Sequence, residues 1–194
     1  MRYDPSRPAG RLLLTPEDKE APARALRLNR LGLGEQPDPA LDAYADHLAE
    51  LTRTPYAMVN FIDERRQFFA GLHLPEVAPV VVVKADGTTP VLGRELARDH
   101  GFCPHVVVRR KALVLEDVCD YPRFAGNPVV DEFGIRSYLG APLIDSTGMV
   151  LGTVCVVDVE PRPWGRPGLE TIKASAAELV ARLERREADG LPLL

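Results

Sequence analysis

The chain has 194 residues, of which 45% are apolar and 27% charged, and its formal net charge at neutral pH is −4. This length and composition are typical of one globular domain that buries enough surface to need no disulfide or metal. The acidic balance argues against nucleic acid as a partner, and no segment approaches the ~18 apolar residues of a membrane span, so we expect no membrane association.

The cysteine content predicts the compartment. Three cysteines, at positions 103, 119 and 155, make an odd number, and the first 25 residues contain no long apolar stretch of the kind found in signal peptides. Free thiols of this kind are typical of a reducing environment, so we expect a cytoplasmic protein.

The chain begins with a proline-rich stretch. Residues 1–22 hold four prolines among charged residues and predict a loosely ordered N-terminal arm. We expect a single domain over residues 23–188 and a short C-terminal tail at 189–194. Its first helix is predicted at 23–31, and a second begins with Asp38 as the cap and Pro39 in the first helical position.

Beyond Pro55 the hydrophobic period changes to that of strands. "YAMVNFID" (56–63) and "QFFAGL" (67–72) predict a β-hairpin. Residues 73–91 have no clear assignment, and "GRELARDHG" (93–101) predicts a short helix that ends at its last glycine.

The second half of the chain predicts three more strands and a long helix. "ALVLEDV" (112–118) reads as a strand and residues 121–130 as a loop or a single helical turn. Strands at 135–144 and 149–158 flank a turn, and the second is apolar on both faces, as interior strands are. The last helix runs from about 168 to 187. Because strands lie in the middle and helices at the ends, we predict the α+β class, with an antiparallel sheet and helices packed on it.

Several strings in this order resemble the GAF domain family, over about residues 24–187. They are "YAMVNFIDERRQFFAGL", "RDHGFCPHVV", "ALVLEDVCDYPRFAGNP", "IRSYLGAPLID" and "GMVLGTVCVVD". The resemblance implies a GAF/PAS-like central antiparallel sheet of five or six strands with the terminal helices packed on one face. It also implies a ligand pocket on the other face, under segments 73–105 and 119–135.

The resemblance implies a set of ligand-binding positions that border this pocket. They are Phe68, Phe102, Cys103, His105, Asp117, Tyr121, Phe124 and Tyr138. Apolar walls with a few polar groups are the usual form of a small-ligand site. The same aromatic rings could instead fill the space themselves, and the sequence leaves both interpretations open.

The string "GFCPHVV" (101–107) raises the question of a reactive thiol. An imidazole beside a thiol lowers the thiol pKa, so Cys103 and His105 could form a nucleophilic pair. Pro104 disfavours helix at Cys103 and predicts an extended or capping conformation there. The interpretation that the sequence favours is a small apolar thiol in the pocket wall. Cys155, in the most apolar strand, is expected to be buried and inert.

The function implied by the resemblance is a small-molecule-sensing or protein-interaction module in signalling, with no catalysis of its own. The alternative is a thiol-dependent enzyme like the free methionine-(R)-sulfoxide reductases of the family, using Cys103 and possibly Cys119. The attacking cysteine of those enzymes falls where this chain has "RFAGN" (123–127), so the match is imperfect. The motifs of bilin-binding and cyclic-nucleotide-binding relatives have no clear counterpart.

No cofactor is identified, and no zinc site is predicted because the chain has no CxxC-like or HxxxH-like ligand pair. The expected partners are an unknown small molecule and a separate signalling protein. A homodimer through the terminal helices is also expected, since Ala174, Ala177 and Ala181 give the last helix a narrow second face of small residues.

Overall fold

The structure is a computed structural model that describes residues 15–77 and 89–190. Most of the predicted N-terminal arm and of the C-terminal tail therefore lies outside the described residues, and the domain boundaries stay predictions. In chain order the helices and strands are α1 (Ala21–Leu31), α2 (Pro39–Thr52), β1 (Tyr56–Ile62), β2 (Arg66–His73), β3 (Glu95–Ala97), α3 (Cys103–Arg109), β4 (Leu113–Leu115), α4 (Pro128–Phe133), β5 (Ser137–Ile144), β6 (Val150–Asp158) and α5 (Gly165–Ala188).

The strands form one six-stranded sheet in the order β3-β2-β1-β6-β5-β4, and every neighbouring pair is antiparallel. β6 lies between β1 and β5 and every one of its residues is buried, which its apolar sequence predicted. The predicted hairpin of β1 and β2 is also confirmed. The protein therefore has the α+β fold with a central antiparallel sheet.

The terminal helices cover one face of this sheet. α2 begins where the sequence placed it, because the Asp38 carboxylate accepts hydrogen bonds from the backbone N–H groups of Ala40 (2.8 Å) and Leu41 (3.4 Å). Buried residues of α2 and α5, such as Leu48 and Ile172, pack in a single core with the strand residues that point to their side. This arrangement leaves the opposite face to the loops and short helices.

The opposite face carries a second core. Alternate strand residues, among them Met58, Tyr138 and Cys155, point to this side and pack against α3, α4 and their connections. Because successive strand residues point to opposite faces, neighbours such as Val154 and Cys155 belong to different cores. The pocket that the resemblance placed on this side has its walls here.

Two local predictions were wrong. Residues 93–101 contain the edge strand β3 and no helix, because Arg66–Phe68 of β2 pair with Glu95–Ala97. Cys103 is not extended but is the first residue of α3. Pro104 falls in the first helical turn, where its missing N–H group breaks no hydrogen bond.

Candidate functional site

A cavity of about 300 Å³ lies on the face of the sheet opposite α2 and α5. The central strands supply one wall, and α3, α4 and the segments beside them supply the other. Its lining is largely apolar, with Met58, Phe69, Leu96, Phe102, Val129, Phe133, Ile135, Tyr138 and Val157 among the contributing residues. Cavities of this size and character are typical of small-molecule sites.

The mouth of the cavity lies where residues 74–76 and 89–92 come together. Two apolar side chains are exposed there, Leu74 at 40% and Val91 at 83% of their surface. These residues flank the stretch 78–88, which lies outside the described residues. Glu76 and Thr89 of the same two segments also line the cavity, so its mouth carries both apolar and polar side chains.

Glu76, Thr89 and Glu132 also line the cavity, and the buried amide of its wall, Gln67, is engaged with the protein. Gln67 Oε1 accepts a hydrogen bond from the Asn60 amide at 2.9 Å. Gln67 Nε2 donates to the carbonyls of Ala97 (2.8 Å) and His100 (2.6 Å). A buried amide that is already satisfied offers a ligand little new hydrogen bonding. The shape and apolar surface of the cavity therefore dominate what it can select.

Two thiols face each other at the sheet side of the cavity. The Sγ atoms of Cys103 and Cys155 are 3.6 Å apart, and the Tyr138 hydroxyl lies 3.4 Å from Cys103 Sγ. The neighbouring Cys155 thiol and the Tyr138 hydroxyl favour a Cys103 thiolate and lower its pKa, although burial opposes them. The same proximity, together with burial, raises the pKa of Cys155.

Three of the predicted ligand-binding residues line this cavity: Phe102, Cys103 and Tyr138. The rings of Phe102 and Tyr138 pack edge to face at 5.2 Å between centroids, and Phe102 meets Phe124 in the same way at 5.8 Å. The aromatic cluster thus fills part of the space predicted for a pocket and leaves a cavity beside it.

The other predicted positions lie elsewhere. Phe68 packs with the helices on the opposite face, and Tyr121 is 39% exposed on the surface. Asp117 receives the Arg136 guanidinium at 3.0 Å, and this ion pair lowers the pKa of the Asp117 carboxyl. Phe124 packs behind Phe102, in the same core but away from the cavity lining.

His105 does not reach the Cys103 thiol. Both residues belong to α3, where positions two apart point about 200° away from each other. The His105 ring packs edge to face on Phe124 at 5.0 Å. Burial, together with the charges of Arg123 and Arg109, lowers its pKa to about 4, so the imidazole is neutral at pH 7. A Cys–His nucleophilic pair is absent from this helix.

The second cysteine of the enzyme alternative is also set apart. Cys119 is exposed on a short 3₁₀ turn, Val118–Asp120, whereas Cys103 is buried in the cavity wall. The sulfur beside Cys103 is that of Cys155, which the sequence predicted to be only an inert core thiol. Within the described residues, no group of three or more His, Cys, Asp or Glu side chains could hold a metal ion.

Sequence reasoning missed most of the cavity wall. Tyr56 and Met58 alternate along β1, and Cys155 and Val157 alternate along β6, so each pair faces the cavity. That alternation was readable in the sequence, but the strands are apolar on both sides and nothing local distinguishes the two faces.

The comparisons with known proteins fit this geometry. The sequence model of the GAF domain family matches residues 36–183, which is most of the chain. The chain belongs to the GAF domain family. No helix among the described residues is long and apolar enough to cross a membrane.

A curated relative is a cyclic di-GMP phosphodiesterase of Pseudomonas aeruginosa, 30% identical over 176 residues. The match covers 87% of this chain but 26% of the relative, so the chain spans about a quarter of that protein's length.

Several solved structures share the fold. The free methionine-R-sulfoxide reductase of Neisseria meningitidis, in complex with its substrate, has a TM-score of 0.57 at 16% identity, covering 89% of this chain and 96% of that one. The blue-light-absorbing PixJ GAF domain of Thermosynechococcus elongatus has a TM-score of 0.54 at 14% identity, covering 89% and 92%. At these identities the likeness is one of fold alone.

Proposed function

We propose that this GAF domain is a sensing module that binds a compact, mainly apolar small molecule and turns nothing over itself. The single observation that carries the proposal is the cavity of about 300 Å³, because its lining is largely apolar and Leu74 and Val91 are exposed at its mouth. The Gln67 side chain already forms hydrogen bonds within the protein, which supports a ligand that is selected by shape more than by hydrogen bonds.

A role in signalling is supported by the curated relative. That protein is named for the turnover of cyclic di-GMP, and the region that matches this chain is 26% of it. We infer that a region of this kind senses an input and that a separate protein or region supplies the output. The expected partner of this chain is accordingly a signalling protein.

Mass spectrometry of a cavity-filling variant tests the proposal. Leu96 lines the cavity from the edge strand β3, and Leu96→Trp places an indole ring in the space that a ligand would take. The matched control is Leu26→Trp, because Leu26 is 64% exposed on α1. Under native conditions, wild type and Leu26→Trp should retain a small molecule that Leu96→Trp lacks. Equal bound mass in all three proteins would contradict the proposal.

A thiol-dependent sulfoxide reductase is the second candidate. It draws support from the position of Cys103 in a cavity wall and is weakened because Cys119 is exposed and is not among the residues that line the cavity. The test follows NADPH oxidation in a thioredoxin-coupled mixture with free methionine sulfoxide. Turnover by wild type that Cys103→Ser abolishes would establish the enzyme and reject a module that only binds.

A further inference from the structure

We propose that Cys103 and Cys155 form a peroxide-reactive dithiol, in which a small neutral hydroperoxide that enters the cavity closes the two residues into a disulfide. The proposal does not depend on the sensing function, because it needs only access for a molecule of peroxide size. Both cysteines line the cavity, and their sulfur atoms are 3.6 Å apart.

The distance between the sulfurs is short enough for closure within the existing fold. A disulfide bond is about 2.05 Å long, so a 3.6 Å separation leaves about 1.5 Å to be closed. Cys155 is held at the centre of the sheet, where β6 pairs with β1 on one side and β5 on the other. Cys103 is the first residue of the short helix α3, so we expect most of the movement on its side.

The surroundings favour Cys103 as the attacking thiol. Cys103 is 6% exposed to solvent, whereas Cys155 is fully buried. The facing Cys155 thiol and the Tyr138 hydroxyl lower the pKa of Cys103, although burial opposes them, while the pKa of Cys155 is raised. The thiolate is the form of cysteine that reacts with peroxides, so the reaction begins at Cys103.

The walls select the class of oxidant. The cavity is largely apolar, so it admits a neutral hydroperoxide more readily than a charged oxidant. Asn60 and Thr153 adjoin the Cys103 sulfur. Within the described part of the chain, Asn60 Oδ1 and Thr153 Oγ1 are buried and have no partner at ordinary hydrogen-bond distance. Neither side chain is among the residues that line the cavity, so a peroxide at Cys103 meets a largely apolar wall.

The chemistry balances in two steps. The Cys103 thiolate attacks the terminal peroxide oxygen, the O–O bond breaks, and the departing alkoxide takes a proton to leave as an alcohol, with Cys103 as a sulfenic acid. The Cys155 sulfur then attacks the Cys103 sulfur, the S–O bond breaks, and the hydroxyl leaves as water with the Cys155 proton. In sum, two thiols and one hydroperoxide give one disulfide, one alcohol and one water.

Formation of the disulfide between Cys103 and Cys155 should also move part of the cavity wall. Gly101, which precedes α3, donates its N–H to Asn127 Oδ1 and accepts from Asn127 Nδ2, both at 2.8 Å. Asn127 in turn caps α4, whose Val129 and Phe133 line the cavity. A movement of α3 toward the sheet therefore pulls on α4, which forms the cavity wall that faces the sheet. The oxidation state of the two cysteines then changes the shape of the cavity.

The test is thiol mapping of the purified full chain. Reduced protein is treated with hydrogen peroxide or, in a parallel arm, tert-butyl hydroperoxide, then denatured, alkylated and analysed by peptide mass. We expect the Cys103 and Cys155 peptides to be joined, with the loss of two hydrogen atoms, and to be released by dithiothreitol. Cys119 is exposed and serves as an internal control that stays alkylatable. Reaction with hydrogen peroxide alone would restrict the oxidant to the smallest hydroperoxide.

Three variants separate the roles. Cys155→Ser should stop at a Cys103 sulfenic acid that dimedone traps, Cys103→Ser should leave Cys155 unmodified, and Cys119→Ser should behave as wild type.

The proposal is overturned if Cys103 and Cys155 stay separate and alkylatable in peroxide-treated wild type, or if Cys119 takes part in the disulfide. Because the decisive readout is on wild type, it stands even if a variant folds poorly. A chain that forms the disulfide but retains no ligand would contradict the sensing function and support this proposal. A chain that retains a ligand but forms no disulfide would support the sensing function and contradict this proposal.

Discussion

His105 illustrates how one buried side chain can set the pH dependence of stability. Its Nδ1 atom has no hydrogen-bond partner among the described residues, and its ring packs on Phe124. Burial and the nearby arginines lower its pKa to about 4, against about 6.5 in an unfolded chain. The folded state therefore favours the neutral imidazole and resists protonation.

The sign of the pH effect follows from that shift. Between pH 6.5 and 4 the unfolded chain binds a proton at this position and the folded chain does not, so stability is full above 6.5 and falls as the pH drops. The loss should approach about 3 kcal/mol near pH 4. Urea unfolding at several pH values should show this slope in wild type and in His47→Gln, an exposed control, but not in His105→Phe. An unchanged slope in His105→Phe would contradict the assignment.

For individual residues, the sequence analysis identified part of the cavity wall but not how its side chains are arranged. It identified Phe102, Cys103 and Tyr138 as pocket residues, and all three line the cavity. It could not place His105 relative to Cys103, because their separation depends on whether the segment is strand or helix. The approach of Cys155 to Cys103 joins two positions 52 residues apart, which no local pattern encodes.

Among the secondary-structure elements, α2 and β2 approach each other closely at Gly71. A methyl group built on Gly71 of β2 would lie 2.2 Å from the backbone oxygen of Leu41 in α2. Only a residue without a side chain allows the helix to rest on the strand at this distance. The backbone of both partners is held in regular structure, so neither can move aside.

Gly71→Ala should therefore destabilise the fold. We expect a loss of about 2–3 kcal/mol in the free energy of unfolding, from overpacking between α2 and β2. Gly93→Ala is the matched control, since a methyl group there meets nothing within 4 Å and should change stability by less than about 0.5 kcal/mol. Chemical denaturation measures both, and equal stability of the two variants would show that the contact is looser than described.

The elements that the sequence predicted well are those with strong local signals. α2 and α5 each carry a repeating apolar face, the β1–β2 hairpin is rich in strand-forming residues, and Asp38 marks a helix start by its own chemistry. β3 was missed because residues 94–98, "RELAR", are all good helix formers, and its strand conformation comes from pairing with β2. The helical start at Cys103 was missed because Pro104 is tolerated in a first turn.

For the whole molecule, the sheet separates two surfaces, one covered by α2 and α5 and the other bearing the cavity. α2 and α5 cover one face, and α5 exposes Ala174 and Ala177 on its outer side. We propose that this outer side pairs with a second copy of the chain, while the opposite face holds the cavity. The two activities, association and ligand binding, would then lie on opposite sides of one sheet.

Sedimentation equilibrium tests the association. Wild type should sediment at twice the chain mass of 21.3 kDa, and Ala177→Arg should shift the population to the single-chain mass. Val77→Arg, an 82% exposed position near the cavity mouth, is the control and should leave the mass unchanged. A single-chain mass for wild type at high concentration would contradict the proposed dimer.

The most direct test of the central claim is methyl NMR of the methionines during a titration with indole, a compact apolar probe. Met58 lines the cavity, whereas Met149 packs against the core on the other face of the sheet. The account predicts a saturable shift of the Met58 methyl signal with Met149 unchanged, and loss of that shift in Leu96→Trp. A Met58 signal that stays in place, or a Met149 signal that moves equally, would contradict an accessible ligand pocket on this face.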